Sequence, residues 1–284
     1  MRILITGASG YLGARLYQDL SKKFETYGTY HTSSLFPNLL KMELTKENEV
    51  HDVVSKVAPD IIVHAAAIPT AQRAKEDKQL TFDVNTSGTQ RVVDAAAENN
   101  SKIIFISTGA ADLPNEPYGF SKKEAETIVS SSKNGYLIIK PSLIIGQSPN
   151  TTNDRFQNRL LKNIADVAPA RYENSALFRV TWIGHISEVI ESAVRNKISN
   201  EIIPVLAEDK KTRFRIASDI LNRFDIECVP FVEQGTPSVF ISTTEKLKKL
   251  NLKLYSYSEI IEKTVSEIQD YLGRKQPSVK LITP

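Results

Sequence analysis

The chain is poor in the residues that usually announce special chemistry: one cysteine, one tryptophan, two methionines and four histidines among 284 residues. A lone cysteine forms no internal disulfide, which fits a reducing compartment. Within IECVPF, Cys228 is expected as a small apolar residue beside a strand, not as a nucleophile. His31, His51, His64 and His185 show no metal-ligand spacing, so no metal is expected. No apolar run approaches the roughly 18 residues needed to span a bilayer. The strand-like RILIT at 2–6 leaves no room for a secretory leader, so a cytoplasmic protein is expected. Lysine and arginine number 36 against 33 acidic residues, a net charge of +3. With no dense basic block and no basic stripe interleaved with aromatics, the usual footprint of nucleic-acid binding is missing.

What is present is a rhythm. Short apolar runs alternate with amphipathic segments through the first half, the pattern of a parallel sheet flanked by helices. RILIT (2–6), TYGTY (26–30), LLKMEL (39–44), DIIVHAA (60–66), KIIFIS (102–107) and YLIIKPSLIIG (136–146) read as strands. Helices are expected at 11–23, at 45–57 behind a Thr45 cap, as one long element at 79–99, and at 118–132. The fold class is therefore α/β, a Rossmann-type doubly wound parallel sheet over residues 1–146. Residues 147–284 mix short strands (FRVTWI, EIIPVL) with helices and are expected as a smaller substrate lobe packed on the sheet.

GASGYLG (7–13) sets Gly7, Gly10 and Gly13 three apart, directly after a strand and directly before a helix. Gly7 permits the tight turn, Gly10 lets the backbone approach a pyrophosphate, and Gly13 lets the helix pack close to the sheet. The helix N-terminus adds free N–H groups and a positive dipole end, so the turn, with Ser9, Tyr11 and Leu12, is expected to bind a dinucleotide. An acidic residue for the adenosine ribose belongs at the end of the second strand. Tyr30, His31, Thr32, Ser33 and Ser34 stand there instead. Nothing there repels a 2′-phosphate, and His31, Thr32 and Ser33 can hydrogen-bond one, so NADP is preferred to NAD.

Carbonyl reduction or alcohol oxidation needs a positioned acid/base, and a tyrosine serves when a cation stabilises its phenolate. Tyr and Lys four apart on a helix share a face. The pattern occurs three times, at Tyr118/Lys122, Tyr136/Lys140 and Tyr271/Lys275. Tyr136 lies in a strand, where that spacing does not join side chains, and Gly273 interrupts the turn before Lys275. Only Tyr118 opens a helix shortly after a strand ending in hydroxyls.

The GxxGxxG spacing and YGFSKKEAE (118–126) resemble the extended branch of the short-chain dehydrogenase/reductase superfamily, most of all the dTDP-4-dehydrorhamnose reductases. The resemblance implies Tyr118 and Lys122 as the acid/base pair. In IFISTGA (104–110) it implies Thr108 as the catalytic hydroxyl and Ser107 as a residue facing the cofactor, with the two open to exchange because a one-residue slip reverses the face. It places Glu43 and Leu44 near the adenine, and Ala65, Ala66 and Ala67 of HAAA beneath the cofactor, with His64 structural. Asn85 belongs to a VN step at the site, and Pro141, Ser142 and Leu143 border the nicotinamide. It implies a nucleotide-sugar substrate and a homodimer through the helices 79–99 and 118–132. The resemblance strains in three places: GAADLPNEP (109–117) is shorter than the family's loop, His185 replaces an aspartate, and Arg15 replaces a glutamate that bridges some dimers through a metal. Three functions stay open: a keto reductase, an epimerase or dehydratase holding NAD tightly, and a non-catalytic NADP-binding subunit.

Overall fold

Seven parallel strands carry the molecule in the computed structural model, which describes residues 1–232 and 242–275. They are β1 (Arg2–Thr6), β2 (Glu25–Tyr30), β3 (Leu40–Lys41), β4 (Ile61–His64), β5 (Lys102–Ile106), β6 (Tyr136–Pro141) and, after β7 to β10 below, β11 (Glu201–Val205), in the order β11-β6-β5-β4-β1-β2-β3. The central strands are apolar on both faces, as a sheet covered on both sides requires. Ile3, Ile5, Ile104 and Ile106 point to one side, and Leu4, Ile62, Ile103 and Phe105 to the other. Helix α1 (Tyr11–Leu20) covers the first side together with α8 (Ile183–Arg195), while α2 (Glu47–Val57), α5 (Gly88–Glu98) and α6 (Pro117–Ser130) cover the second. The strand order reverses between β1 and β4, and the crevice beyond their carboxyl ends is where such sheets bind ligands.

The expected helix 79–99 is three pieces. Helix α4 (Lys78–Phe82) passes through a π-helical turn at Asp83–Ser87 into α5, and a further short helix, α3 (Ala71–Glu76), precedes it. The turn swings Asn85 inward, where its amide grips both backbone groups of Ile68: Ile68 N–H donates to Oδ1 at 2.7 Å and Nδ2 donates to the Ile68 carbonyl at 3.1 Å. Single π-helical turns inside α-helices are frequent at functional sites. Nor does Thr45 cap α2. The cap position is Lys46, without a side-chain bond, and the Glu49 carboxylate reaches back to the Glu43 amide at 3.0 Å instead. The run 136–146 divides at Ser142 into β6, in the main sheet, and β7 (Leu143–Ile145), paired with β10 (Val180–Trp182).

The later residues add α7 (Phe156–Ala165), β8 (Ala170–Glu173), β9 (Leu177–Phe178), α9 (Arg213–Leu221), β12 (Lys211–Thr212), β13 (Cys228–Phe231), α10 (Glu245–Lys249) and α11 (Tyr257–Lys275). Their core joins Phe156, Leu160, Ile216, Ile220, Ile260 and Val265, and Tyr11 of the glycine turn is buried in the same cluster. Cys228 opens β13, half-buried, and burial pushes its thiol pKa up, away from nucleophilic use. Among the described residues no helix is long and apolar enough to cross a membrane.

Candidate functional site

The glycine turn closes on itself before α1 begins. Gly7 has φ +70°, and a Cβ there would meet the Ala66 Cα at 2.8 Å. A Cβ on Gly13 would lie 2.1 Å from the Gly7 carbonyl oxygen. Gly10 is exposed, donates to the Gly7 carbonyl at 2.9 Å and caps α1 with no side-chain bond. No acidic residue stands in the first turn of α1, so its opening amides, from Tyr11, Leu12 and Gly13, keep an uncancelled positive end. Asn150 Nδ2 reaches the Ser9 carbonyl at 2.6 Å and Ser148 Oγ the Tyr11 carbonyl at 2.6 Å. The segment after β7 is thereby drawn over the turn.

Beneath the crevice, Thr6 Oγ1 accepts from the amides of Ala65 and Ala66, each at 3.1 Å, and Ala65, Ala66 and Ala67 are half-buried. His64 is structural: Nδ1 meets Thr6 Oγ1 at 2.7 Å and Nε2 meets Thr89 Oγ1 at 3.1 Å. Burial, helped by the nearby Lys122 charge, pulls its pKa down to about 3. The folded protein therefore keeps His64 neutral while the unfolded chain takes up a proton below about pH 6.5. Stability from this group is full above that pH and is lost as pH falls. Wild type is expected to lose about 1.4 kcal/mol of stability from His64 between pH 7.5 and 5.5. A His64→Asn variant lacks that component, and urea unfolding at the two pH values measures the difference; equal pH dependence in both proteins would refute it.

At the carboxyl end of β5 the chain turns into a 3₁₀ turn (Gly109–Ala111) capped by Thr108, whose Oγ1 accepts from the Ala110 amide at 3.2 Å. Helix α6 follows with Pro117 in its first position, the place where a missing N–H costs nothing. Tyr118 comes next, and the Thr108 hydroxyl lies close enough to help lower its phenol pKa. Thr108 is thus the hydroxyl brought to Tyr118. Ser107 is not turned to the crevice: its Oγ is buried and donates to Glu126 Oε1 at 2.6 Å. Strand alternation decides this, since Thr108 lies just past the strand end and faces away from its neighbour.

Lys122 is 3% exposed, donates to the Ile106 carbonyl at 2.7 Å and lies over the Phe105 ring at 3.9 Å. Burial lowers its pKa to about 7, with Glu126 opposing. Burial also pushes the Tyr118 phenol up, and the charge that pulls it back is Arg155, ahead of the Thr108 hydroxyl. Sequence reasoning missed Arg155. It caps α7, and its Nη1 reaches the Pro69 carbonyl at 3.3 Å, so the guanidinium bridges from the later residues to the loop after β4. It has no carboxylate partner among the described residues within salt-bridge distance.

Several expected cofactor contacts are engaged elsewhere. Asn85, besides gripping Ile68, donates to Ser121 Oγ at 3.1 Å, so it shapes the loop instead of reaching into the crevice. Leu44 is core, packed where Gly88 passes closest. Glu43 pairs with His31 instead of standing free for an adenine, with Thr32 Oγ1 3.1 Å from the other imidazole nitrogen. Ser33 is exposed beside them. Near the expected nicotinamide, Pro141 is buried, Leu143 donates its amide to the Arg179 carbonyl at 3.1 Å, and the Ser142 amide donates to Thr181 Oγ1 at 3.0 Å. Ser142 Oγ is buried without a hydrogen-bond partner. The glycine cradle, which any Cβ would fill, and this orphaned hydroxyl both fit a dinucleotide lying across the switch point. Arg15 is spent on Glu267, Asp19 and the Gln147 carbonyl.

The RmlD substrate binding domain family matches residues 1–246. The chain belongs to that family. A dTDP-4-dehydrorhamnose reductase of Aggregatibacter actinomycetemcomitans is 28% identical over 163 residues, 52% of this chain and 53% of that protein. The match thus spans about half the length of that curated relative. A methionine adenosyltransferase 2 subunit beta of Danio rerio is 22% identical over 261 residues, 82% of this chain and 78% of that one. A dTDP-4-dehydrorhamnose reductase from Bacillus anthracis, solved in complex with NADP, superposes with a TM-score of 0.80 at 20% identity, over 94% of this chain and 99% of that one. This family likeness bears out the resemblance and the Rossmann-type fold.

Proposed function

We propose that the protein is an NAD(P)H-dependent reductase that converts a keto group to an alcohol, on a nucleotide-linked sugar. The observation that carries the reading is the Thr108–Tyr118 hydroxyl pair at the carboxyl end of β5, beside the switch point and the glycine turn. The turn and the opening amides of α1 suit the pyrophosphate, Ala65 to Ala67 the floor, and Ser142 the nicotinamide end. A bound dihydronicotinamide supplies the hydride that forms the new C–H bond. Thr108 orients the carbonyl oxygen, and Tyr118 delivers its hydroxyl proton to that oxygen as the carbonyl π bond opens. Arg155 stabilises the phenolate left behind, with Lys122 one turn further along α6 as the second cation of the pair. The family membership and the reductase relative support the substrate class.

Of the two cofactors NADP remains the better fit, because His31, Thr32 and Ser33 offer hydrogen bonds to a 2′-phosphate, which would compete with Glu43 for the imidazole. Titration by ligand-induced fluorescence is expected to give at least tenfold tighter binding of NADPH than NADH, with His31→Ala erasing most of the difference. A screen of sugar nucleotides and simple ketones for NADPH oxidation then tests the reading; binding without turnover on any ketone would overturn it. That outcome would favour a non-catalytic cofactor-binding subunit, a reading favoured by the similarity to a methionine adenosyltransferase 2 subunit beta over 82% of the chain. Protein that carries NAD through gel filtration would favour an epimerase. We place the protein in the cytoplasm as a homodimer joined through α5 and α6, near which Leu80 and Phe120 are exposed, and light scattering of a Phe120→Glu variant tests the contact.

A further inference from the structure

Two carboxylates and an ammonium are buried directly behind the catalytic helix. Lys140, a lysine near the carboxyl end of the apolar strand β6, is 4% exposed, and Glu126 on α6 is 3% exposed. Lys140 Nζ lies 2.8 Å from Glu126 Oε1 and 2.6 Å from Asp112 Oδ1, and the Asp112 side chain is itself 8% exposed. Glu126 also accepts from Ser107 Oγ, and Asp112 accepts from the amide and hydroxyl of Ser242, at 3.0 and 2.5 Å. The cluster therefore joins the strand end that carries Thr108, the helix that carries Tyr118 and Lys122, and the later residues at Ser242.

The charges do not cancel within the trio. Two carboxylates against one ammonium leave a net negative charge in a region that penalises unpaired ions heavily. Lys122 stands four residues before Glu126 on the same helix, so the two share a face. With Lys122 protonated the buried set is neutral; with Lys122 deprotonated it is not. Lys123, 3.4 Å from Glu126, does not substitute, because its side chain is 53% exposed and water screens it. The other groups facing Lys122 offer no compensating charge: the Ile106 carbonyl and Phe105 ring from β5 and neutral His64 from β4, while Tyr118, one turn back on the same helix, carries no charge as a phenol.

We propose that Glu126 and Lys140 are positioning residues that form a charge layer behind the acid/base pair, setting the protonation of Lys122 and with it the pH range in which Tyr118 exchanges its proton. The role as stated rests on the reading of Tyr118 and Lys122 as the catalytic pair; the effect on Lys122 itself does not. A burial penalty alone would leave Lys122 neutral through much of the physiological range. Glu126 counters that, and Lys140 limits how far it does so. The layer acts from behind α6 and needs no contact with substrate.

A structural staple and a charge layer make different predictions for two substitutions of opposite sign. In cofactor-free protein labelled with 15N-lysine, the Lys122 Nζ resonance is assigned by its disappearance in Lys122→Met, and its titration midpoint is followed. Glu126→Gln is expected to lower the midpoint by about one pH unit or more, a tenfold loss of the charged form at fixed pH. Lys140→Met is expected to raise it. Asp112→Asn, which removes the same charge from the far side of Lys140, lowers it by less, and serves if Glu126→Gln does not fold. The basic limb of the kcat/KM profile should follow the midpoints in sign. Midpoints that stay fixed, or move the same way in Glu126→Gln and Lys140→Met, overturn the proposal. Wild-type protein without reductase activity but with the opposed midpoints would refute the proposed reaction and leave the charge layer standing.

Discussion

Tyr118→Phe lowers kcat on an accepted ketone by about 10²- to 10⁴-fold, the range that a positioned proton donor contributes, while NADPH affinity stays within threefold of wild type. The ring remains to pack at the head of α6, so only the hydroxyl beside Thr108 is lost. The effect is large because nothing else at the end of β5 replaces it. Lys122 is turned to the Ile106 carbonyl, and Ser107 is committed to Glu126. Arg155→Met gives a companion result with its own direction. Burial raises the Tyr118 pKa and Arg155 lowers it, so removing that cation raises it further. In the alcohol-oxidising direction, where the phenolate accepts the proton, the rising limb of kcat against pH then moves to higher pH. Unchanged turnover in Tyr118→Phe would remove the acid/base assignment. A limb that stays put in Arg155→Met would remove Arg155 from the site.

What was legible beforehand followed the periodic and local parts of the chain. The central strands are continuous apolar runs, and a parallel sheet buried on both faces writes itself into sequence that way. The glycine turn was readable because each glycine answers a backbone demand: a positive φ at Gly7, and a close crossing of the Gly7 carbonyl at Gly13. Tyr118 could be separated from Tyr136 and Tyr271 by its place at a helix start. What failed depended on contacts between distant segments. The π-helical turn inside 79–99 brings Asn85 to Ile68, 17 residues away, a pairing that no local pattern announces. The partner of Ser107, Glu126, is 19 residues away on a helix whose rotation no local pattern fixes. Arg155 reaches Pro69 across 86 residues. One overlooked signal was local: a lysine at 140 between Ile139 and Pro141, in a run otherwise apolar, needs a buried partner. Glu126, four residues after Lys122, was the carboxylate to look for.

Gly13→Ala is expected to abolish measurable dinucleotide binding, a loss of at least about 100-fold, and to cost about 1–3 kcal/mol of stability as overpacked positions do. The methyl group would sit 2.1 Å from the Gly7 carbonyl oxygen and 2.8 Å from its carbon. Both obstacles are backbone, so no side chain can swing away. Either the turn opens or α1 moves off β1, and each displaces the opening amides of α1 that the proposed function assigns to the pyrophosphate. Gly10→Ala separates the two effects. Its Cβ meets only the Gly7 carbonyl oxygen, at 3.2 Å, and Gly10 is exposed on the ligand side of the turn. Thermal melting of Gly10→Ala should therefore stay near wild type while NADPH affinity falls, because the added methyl occupies the space where the phosphates approach. Gly13→Ala protein that still bound NADPH with wild-type affinity would mean that the cofactor does not sit on this helix. Gly10→Ala losing stability as heavily as Gly13→Ala would mean that the turn is a structural corner first, with no surface reserved for a ligand.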